Sequence, residues 1–324
     1  MSPTAPEVRI GPAPIPDTGV GPAPVPGEPV LLAPDLLRLT APNPGLMTGP
    51  GTNSYLIGRS ELALIDPGPD DEGHREALLA AVAARGTLRW ILVTHTHPDH
   101  APGAAAVADA TGAQVVGFGP AEGFAPDLSV RGGWTLTLPG EGSEGSEGSE
   151  GSEGSLTLEA VHTPGHASDH LCWLLVESRT LLTGDHVMHG STVVIKPPDG
   201  NLAEYLASLA LVRDLEPPVA RLAPGHGRVM ERVTEVVDAL IAHRLGRHVR
   251  VADALRATGE ATVDELLPQV YADVTEEQLP VARFSLWAHL RHLGGEGRAQ
   301  PLGVASGEDS VETRWHWVEG SSAV

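Results

Sequence analysis

Cysteine is nearly missing from these 324 residues, with Cys172 standing alone. No disulfide can close within the chain, and a reducing, cytoplasmic compartment is expected. Lysine is as scarce. Lys196 is the only one, so arginine carries nearly all the positive charge. Positive charge is itself short, because 21 basic residues against 42 acidic ones leave a formal charge of −21. That excess raises solubility and repels polyanions at long range, although a local basic patch still acts within a Debye length of about 8 Å. No stretch approaches the roughly 18–20 consecutive apolar residues of a membrane span, so a soluble protein with no membrane partner is expected. Met1–Pro29 lacks both the basic start and the apolar core of a signal peptide. It repeats Gly-Pro-Ala-Pro at Gly11 and Gly21 instead, and reads as an extended, disordered tail.

What is present begins at about Val30, where apolar runs and turns alternate. Tyr55–Ile57 and Leu62–Ile65 read as strands, Asp71–Arg85 as a helix, Leu88–Val93 as a strand and His100–Thr111 as a helix. Trp134–Leu138, Leu156–Val161 and Leu171–Val176 read as further strands, the last burying Cys172 as a small hydrophobe. Between the first two of these, Glu141–Ser155 is five consecutive Glu-Gly-Ser units. With no apolar residue and five like charges it reads as a flexible loop, solvated filler rather than a lid. A long helical pattern follows over Arg232–Thr258, interrupted only at Gly246. Thr262 then caps a short helix, Val281–Leu293 repeats apolar residues at helical spacing, and Arg314–Val318 reads as a strand pair. Three helices and a hairpin make a winged-helix-like module. The expected domains are thus a tail over 1–29, a larger domain over 30–230 that contains the 141–155 loop, and a linking helix with a small winged-helix-like domain over 231–324.

The chemistry concentrates in His95-Thr96-His97-Pro98-Asp99-His100, directly after the apolar run Trp90–Val93. Imidazole and carboxylate suit zinc and its neighbours in the transition series. Residues two apart on an extended strand end point the same way, so His95 and His97 can grip one ion. Pro98 favours a helix start, which puts Asp99 and His100 on the first turn of the next element, facing a second ion. Downstream, His166 follows Thr163-Pro164-Gly165, Asp185 follows Thr183-Gly184, and His226 follows Ala223-Pro224-Gly225. Each stands where a short apolar run meets a glycine turn, and scaffolds deliver functional side chains at such places. Seven ligands suffice for two metals. His74, His162, His243, His248 and His316 read as ordinary surface or core histidines.

In these segments the chain resembles the metallo-β-lactamase superfamily, whose HxHxDH motif followed by a His, an Asp and a His in separate loops matches residue by residue. The resemblance implies an α/β fold, the αββα sandwich of that superfamily. It also implies that His95, His97 and His166 hold one metal, that Asp99, His100 and His226 hold the other, and that Asp185 bridges them. From Leu36 to Val318 the chain is similar to the lactamase-like endoribonuclease branch, which also ends in a winged domain. Asp66, before Pro67-Gly68, is either a turn-initiating residue or an acid that supports the ligands from behind. Asp169 and His170 stand equally between strand packing and orienting the ligands. The loop over 186–200 carries His189, Ser191, Thr192 and Lys196, which are expected to line the substrate pocket.

The function implied is a di-metal hydrolase that uses a metal-bridging hydroxide, with Asp99 as the catalytic carboxylate. Its cofactors are two zinc ions, with iron or manganese as substitutes. The expected substrate is a small ester, thioester or lactone. Single-stranded RNA is the alternative that the appended module favours, and a winged-helix regulator that only binds DNA is the alternative of another class. A homodimer is a compatible assembly.

Overall fold

The computed structural model describes residues 15–140, 154–305 and 307–319. The repeat at Gly11 and most of the Glu-Gly-Ser segment, residues 141–153, lie outside the described residues. The chain divides into two compact units. One comprises Asp17–Val193 with Asp199–Thr234, and the other includes Val194–Pro198 and Glu235–Val324.

The first unit is built on two seven-stranded sheets. One runs in the order β1 (Gly19–Val20), β14 (Val229–Met230), β13 (Arg221–Pro224), β12 (Thr180–Gly184), β11 (Leu171–Leu175), β10 (Leu156–His162), β9 (Thr135–Leu138). It is antiparallel except between β12 and β13. The other runs β2 (Val30–Ala33), β3 (Leu36–Thr40), β4 (Asn53–Gly58), β5 (Glu61–Ile65), β6 (Thr87–Leu92), β7 (Gln114–Gly117), β8 (Leu128–Ser129), and turns parallel from β5 onward.

Side chains alternate across a strand, and the two faces of the second sheet sort accordingly. Tyr55, Ile57, Ala63 and Ile65 join Leu136, Leu158, Trp173 and Leu182 of the first sheet in one core. Leu56, Leu62 and Leu64 join the opposite core, with Leu78 and Val82 of α1 (Glu72–Arg85) and Val107 of α2 (Gly103–Thr111). With both faces covered, every residue of β4 is buried, and each large aliphatic side chain so buried contributes about 1.5–3 kcal/mol. Helix α1 starts where the Asp71 carboxylate accepts from the His74 amide at 2.7 Å and stops at Gly86. A third helix, α3 (Leu202–Arg213), ties down two loops that leave the first sheet. Ser208 Oγ donates to the Pro164 carbonyl and the Tyr205 hydroxyl to the His186 carbonyl.

The second unit holds α4 (Val233–Thr258), β15 (Glu260–Ala261), α5 (Val263–Val270), α6 (Leu279–Gly295), β16 (Ala299–Pro301) and β17 (Trp315–Trp317). Its strands pair antiparallel in the order β15-β17-β16, and its core collects Leu255, Leu266, Leu286, Leu290 and Trp315.

Four expectations change. The disordered tail does not extend to Pro29, because Gly19–Val20 adds an edge strand to the first sheet and the Pro22 carbonyl accepts from Arg38; proline-rich chain is already extended and docks cheaply on an edge. Helix α2 begins at Gly103 rather than His100, since Pro98–His100 form a turn closed by the His100 amide on the His97 carbonyl. Gly246 does not interrupt α4, where a helical glycine costs only about 1 kcal/mol against the packing of a long helix. The wing is a three-stranded sheet rather than a hairpin, because Glu260–Ala261 pairs with β17. The division between units falls at Glu235, inside α4, and also assigns Val194–Pro198 to the C-terminal unit.

Candidate metal centre

The seven expected ligands sit at or just beyond strand ends of both sheets. His95, His97, Asp99 and His100 follow β6, His166 follows β10, Asp185 follows β12 directly, and His226 lies two residues past β13. The structure brings all seven together. His97 Nδ1 lies 3.0 Å from both His95 Nε2 and His166 Nε2. His226 Nε2 lies 3.2 Å from Asp99 Oδ2 and 3.1 Å from Asp185 Oδ1. His100 Nε2 lies 3.3 Å and 3.4 Å from the same two oxygens. Asp185 Oδ2 turns the other way, 3.6 Å from His166 Nε2. Three sets of donor atoms thus converge closely enough to hold an ion: His95–His97–His166, His95–His100–Asp185 and Asp99–His100–His226.

The opposite ring nitrogens decide whether those imidazoles can ligate. Asp66 accepts from His100 Nδ1 at 2.8 Å and from the Thr94 amide and hydroxyl at 2.7 Å each. With its proton given to Asp66, the Thr94 oxygen accepts from His95 Nδ1 at 3.0 Å. His226 Nδ1 donates to the Gly51 carbonyl at 3.2 Å. In each case Nδ1 keeps its proton on the side away from the centre, so Nε2 is the nitrogen that would ligate an ion. Asp169 accepts from the Thr96 amide and hydroxyl, bracing the residue between two ligands. His170 Nε2 accepts the Asp185 amide at 3.2 Å, while Thr163 Oγ1 lies 2.9 Å from its Nδ1.

Close approach demands glycine at two points. A Cβ on Gly225 would stand 2.7 Å from His100 and 3.0 Å from Asp185 Oδ1. At Gly184, φ is 46° and a Cβ would meet Thr94 Oγ1 at 2.6 Å.

Charge within the metal-free centre balances itself. Burial opposes the charge on Asp99 and Asp185, but His100 and His226 hold both carboxyls well below their usual range. Burial likewise opposes protonation of His100, and Asp185, Asp99 and Asp66 outweigh it and keep that imidazole well above its ordinary value. His226 is raised to about 9 against burial by Asp185 and Asp99. His95 goes the other way, held well below its usual value by burial and by the neighbouring His100 and His170. Two carboxylates and two imidazoliums therefore stand where divalent cations would take over the positive charge, and the donor set fits such ions.

The expected pocket loop divides. His189 and Ser191 line a cavity of about 280 Å³ beside His226, together with Pro24, Leu46, Met47 and Met188. His189 also pairs with Asp17 at 3.0 Å. Thr192 is not among the residues lining that cavity. Lys196 belongs to the C-terminal unit, 5.0 Å above the Phe284 ring. Its neighbour Ile195 is 1% exposed and donates its amide to Ser285 Oγ, so burial of that apolar residue carries the lysine into the C-terminal unit. Thr94, Thr52 and Gly51 are functional residues that the sequence pattern does not mark. Thr94 adjoins the motif and was accessible to inspection, but the bond from Thr52 Oγ1 to Asp99 Oδ2 at 3.1 Å has no local signal.

The chain is similar to known proteins over most of its length. Residues 47–226, more than half the chain, match the family described as the metallo-beta-lactamase superfamily, and residues 262–308 match the beta-lactamase associated winged helix domain. The chain is similar to the beta-lactamase-like protein 2 homolog of Caenorhabditis elegans, 31% identical over 256 residues that span 76% of this chain and 80% of that protein. It is similar to the atrochrysone carboxyl ACP thioesterase of Aspergillus fumigatus, 32% identical over 272 residues, 76% of this chain and 78% of that protein. Its fold is similar to that of a solved beta-lactamase domain protein from Burkholderia ambifaria, with a TM-score of 0.70 and 22% identity over 91% of this chain and 95% of that one.

Proposed function

The chain belongs to the metallo-beta-lactamase superfamily, and from that premise we propose that this hydrolase holds two zinc ions and cleaves a small ester, thioester or lactone. The observation that carries the reading is the orientation of Asp185. One carboxylate oxygen faces His100 and His226 while the other faces His166, as sharing between two ions requires. Nitrogen and oxygen donors alone suit zinc, and iron or manganese would use the same residues.

Metal ions supply Lewis acidity toward the scissile carbonyl and bring the pKa of a coordinated water from 15.7 to about 7. The chain's own residues do the rest. Asp66, through His100 and Thr94, aims the imidazole lone pairs inward. Asp99 has its Oδ2 fixed by the Thr52 hydroxyl and keeps 24% of its side chain exposed, against 12% for Asp185. It is the carboxylate placed to take the proton of the attacking water and return it to the leaving group.

The cavity beside His226 supports an acyl substrate. Pro24, Leu46, Met47, Pro50 and Met188 give it apolar walls for a hydrocarbon portion, and Arg228 adds a cation for an anionic end. The similarity to a protein named as a thioesterase supports the same class. RNA as substrate is supported by the appended winged unit and by the resemblance to the lactamase-like endoribonuclease branch, but not by charge. The arginines there are engaged: Arg283 by Asp264 and Glu312, Arg247 by Asp273, Arg314 by Glu265 and Arg298 by Glu296. A cytoplasmic location suits Cys172, whose buried thiol is pushed up to about 12 and has no second cysteine to join.

The test is to load the chain with zinc, count ions by elemental analysis, and assay acyl-thioesters, lactones, β-lactams and labelled single-stranded RNA side by side. Two ions at the centre and turnover of a thioester, ester or lactone are expected. A centre that takes up one ion or none after reconstitution, or turnover confined to RNA, would overturn the reading.

A further inference from the structure

Outside the centre, the C-terminal unit gathers a second set of imidazoles that hydrolysis does not use. His248 comes from α4, His289 and His292 come from α6, and Glu296 caps α6 at its C-terminal end. His248 Nε2 lies 3.3 Å from Glu296 Oε2, and His292 Nε2 lies 3.5 Å from Glu296 Oε1. The donor atoms of all three residues lie within 4.8 Å of one another.

We propose that His248, His292 and Glu296 form a binding site for one further transition-metal ion, zinc by ligand type, that clamps α4 to α6. The spacing carries the argument. Tetrahedral zinc with bonds of about 2.0–2.1 Å keeps its donor atoms roughly 3.3–3.4 Å apart; His248 and His292 stand at 3.3 and 3.5 Å from different oxygens of the Glu296 carboxylate, close to that spacing on either side of it. His292 and Glu296 are four residues apart and share one face of the helix, the usual way for a single helix to offer two ligands. His248 is backed by His289, whose Nδ1 lies 3.4 Å from His248 Nδ1. Without an ion His248 Nε2 donates to Glu296 Oε2, and a bound ion would take the place of that proton while His248 Nδ1 donates to His289 Nδ1 and leaves Nε2 free to ligate. His289 is 1% exposed and its Nε2 has no hydrogen-bond partner among the described residues, so this ring is held in place by packing and by His248. Arg298 donates to Glu296 Oε2 at 2.9 Å, which orients the carboxylate and leaves Oε1 toward His292. With His292 22% and Glu296 34% exposed, solvent can complete the coordination.

The site stands apart from the hydrolytic one, so its test removes the latter first. The full-length chain carrying His95→Ala and His100→Ala, which together break all three donor sets of the hydrolytic centre, is stripped of metal, equilibrated with zinc and desalted, and its zinc content is measured. One ion per chain is expected. Adding His292→Ala should remove it, and zinc should raise Tm in the first variant but not in the second. Should His292→Ala fail to fold by circular dichroism, Glu296→Gln provides the same reading. If zinc content is equal with and without the His292 or Glu296 substitution, or if the double variant takes up no zinc, the cluster is a hydrogen-bond hub between two helices and the proposal fails.

Discussion

Asp66 accepts hydrogen bonds from His100 and, directly and through its hydroxyl, from Thr94, which in turn accepts from His95. One carboxylate thus sets the tautomer on both sides of the centre, and its φ of 49° is the backbone cost of standing there. Ligands differ from such supports in what their loss does. Asp185→Ala is expected to lose the paired occupancy and nearly all turnover, while His316→Ala, half exposed on β17, leaves metal content and rate near normal. Elemental analysis and kinetics on the two variants check this contrast, and two retained metals with most activity in Asp185→Ala would end the bridging role. A second expectation concerns pH. With no metal present His226 is raised to about 9, and a protonated imidazole cannot ligate. Below that value an ion must displace a proton, so affinity at Asp99–His100–His226 falls as pH drops. From His226 alone it should be about fiftyfold weaker at pH 7 than at pH 9, because roughly half of the imidazole is already neutral at pH 9 and only about one part in a hundred at pH 7. His95, held low by burial, exacts no such cost. Zinc titrations against a chelator at both pH values should resolve two classes of site, and one shared pH slope would contradict it. The seven ligands were readable because their residue types and order carry the chemistry. Thr52 and Gly51 were not, since each reaches its partner across 47 and 175 positions of chain.

At the scale of elements, strands and helices with strong periodicity were legible, and misreadings gathered where tertiary contacts decide. Leu62–Ile65 and Leu171–Leu175 are apolar runs buried on both faces and were read as strands. Gly19–Val20 is not legible as a strand, because two residues of a proline-rich tail have no periodicity and become a strand only when Met230 and Val229 offer an edge. The helix after the metal turn was placed early because Pro98 signals a start, yet the chain first spends Pro98–His100 on a turn. The Glu-Gly-Ser units join β9 to β10, whose register pairs Leu138 with Leu156. Deleting residues 142–154 leaves a short connection between paired strands and removes no apolar residue. Fold, metal content and rate should persist, with a small gain in stability because loop closure costs about 0.6 kcal/mol less per halving of length. Steady-state kinetics of the deletion beside the intact chain decide it. A tenfold loss in kcat/KM, about 1.4 kcal/mol, with metals intact would show that the segment contributes at the site.

For the whole molecule, the formal charge of −21 is the property most relevant to substrate choice. A field of that sign repels RNA at long range, and the arginines of the C-terminal unit, which would offset it locally, are held in ion pairs such as Arg283 with Asp264 at 2.6 Å. Fold class and this charge were both legible from the residues, but which arginines remain available was not, because pairing depends on which acids the fold brings beside them. Salt separates the two substrate classes. Enzymes that grip a nucleic-acid backbone lose affinity steeply as salt rises, through release of condensed counterions, with a slope on single strands of about 0.7 per phosphate neutralised. A small acyl substrate seated against Leu46, Met47 and Met188 releases no such ions, and among the described residues Arg228 is the only arginine or lysine lining that cavity. The kcat/KM for a thioester or lactone should therefore change by less than about fivefold between 50 and 500 mM salt, since one screened charge pair is worth roughly 0–1 kcal/mol. The measurement is a salt series on the best substrate of the panel with zinc held in excess. A fall of a hundredfold or more would mean that several cations hold the substrate, and the apolar cavity beside His226 would lose its role as the acyl site.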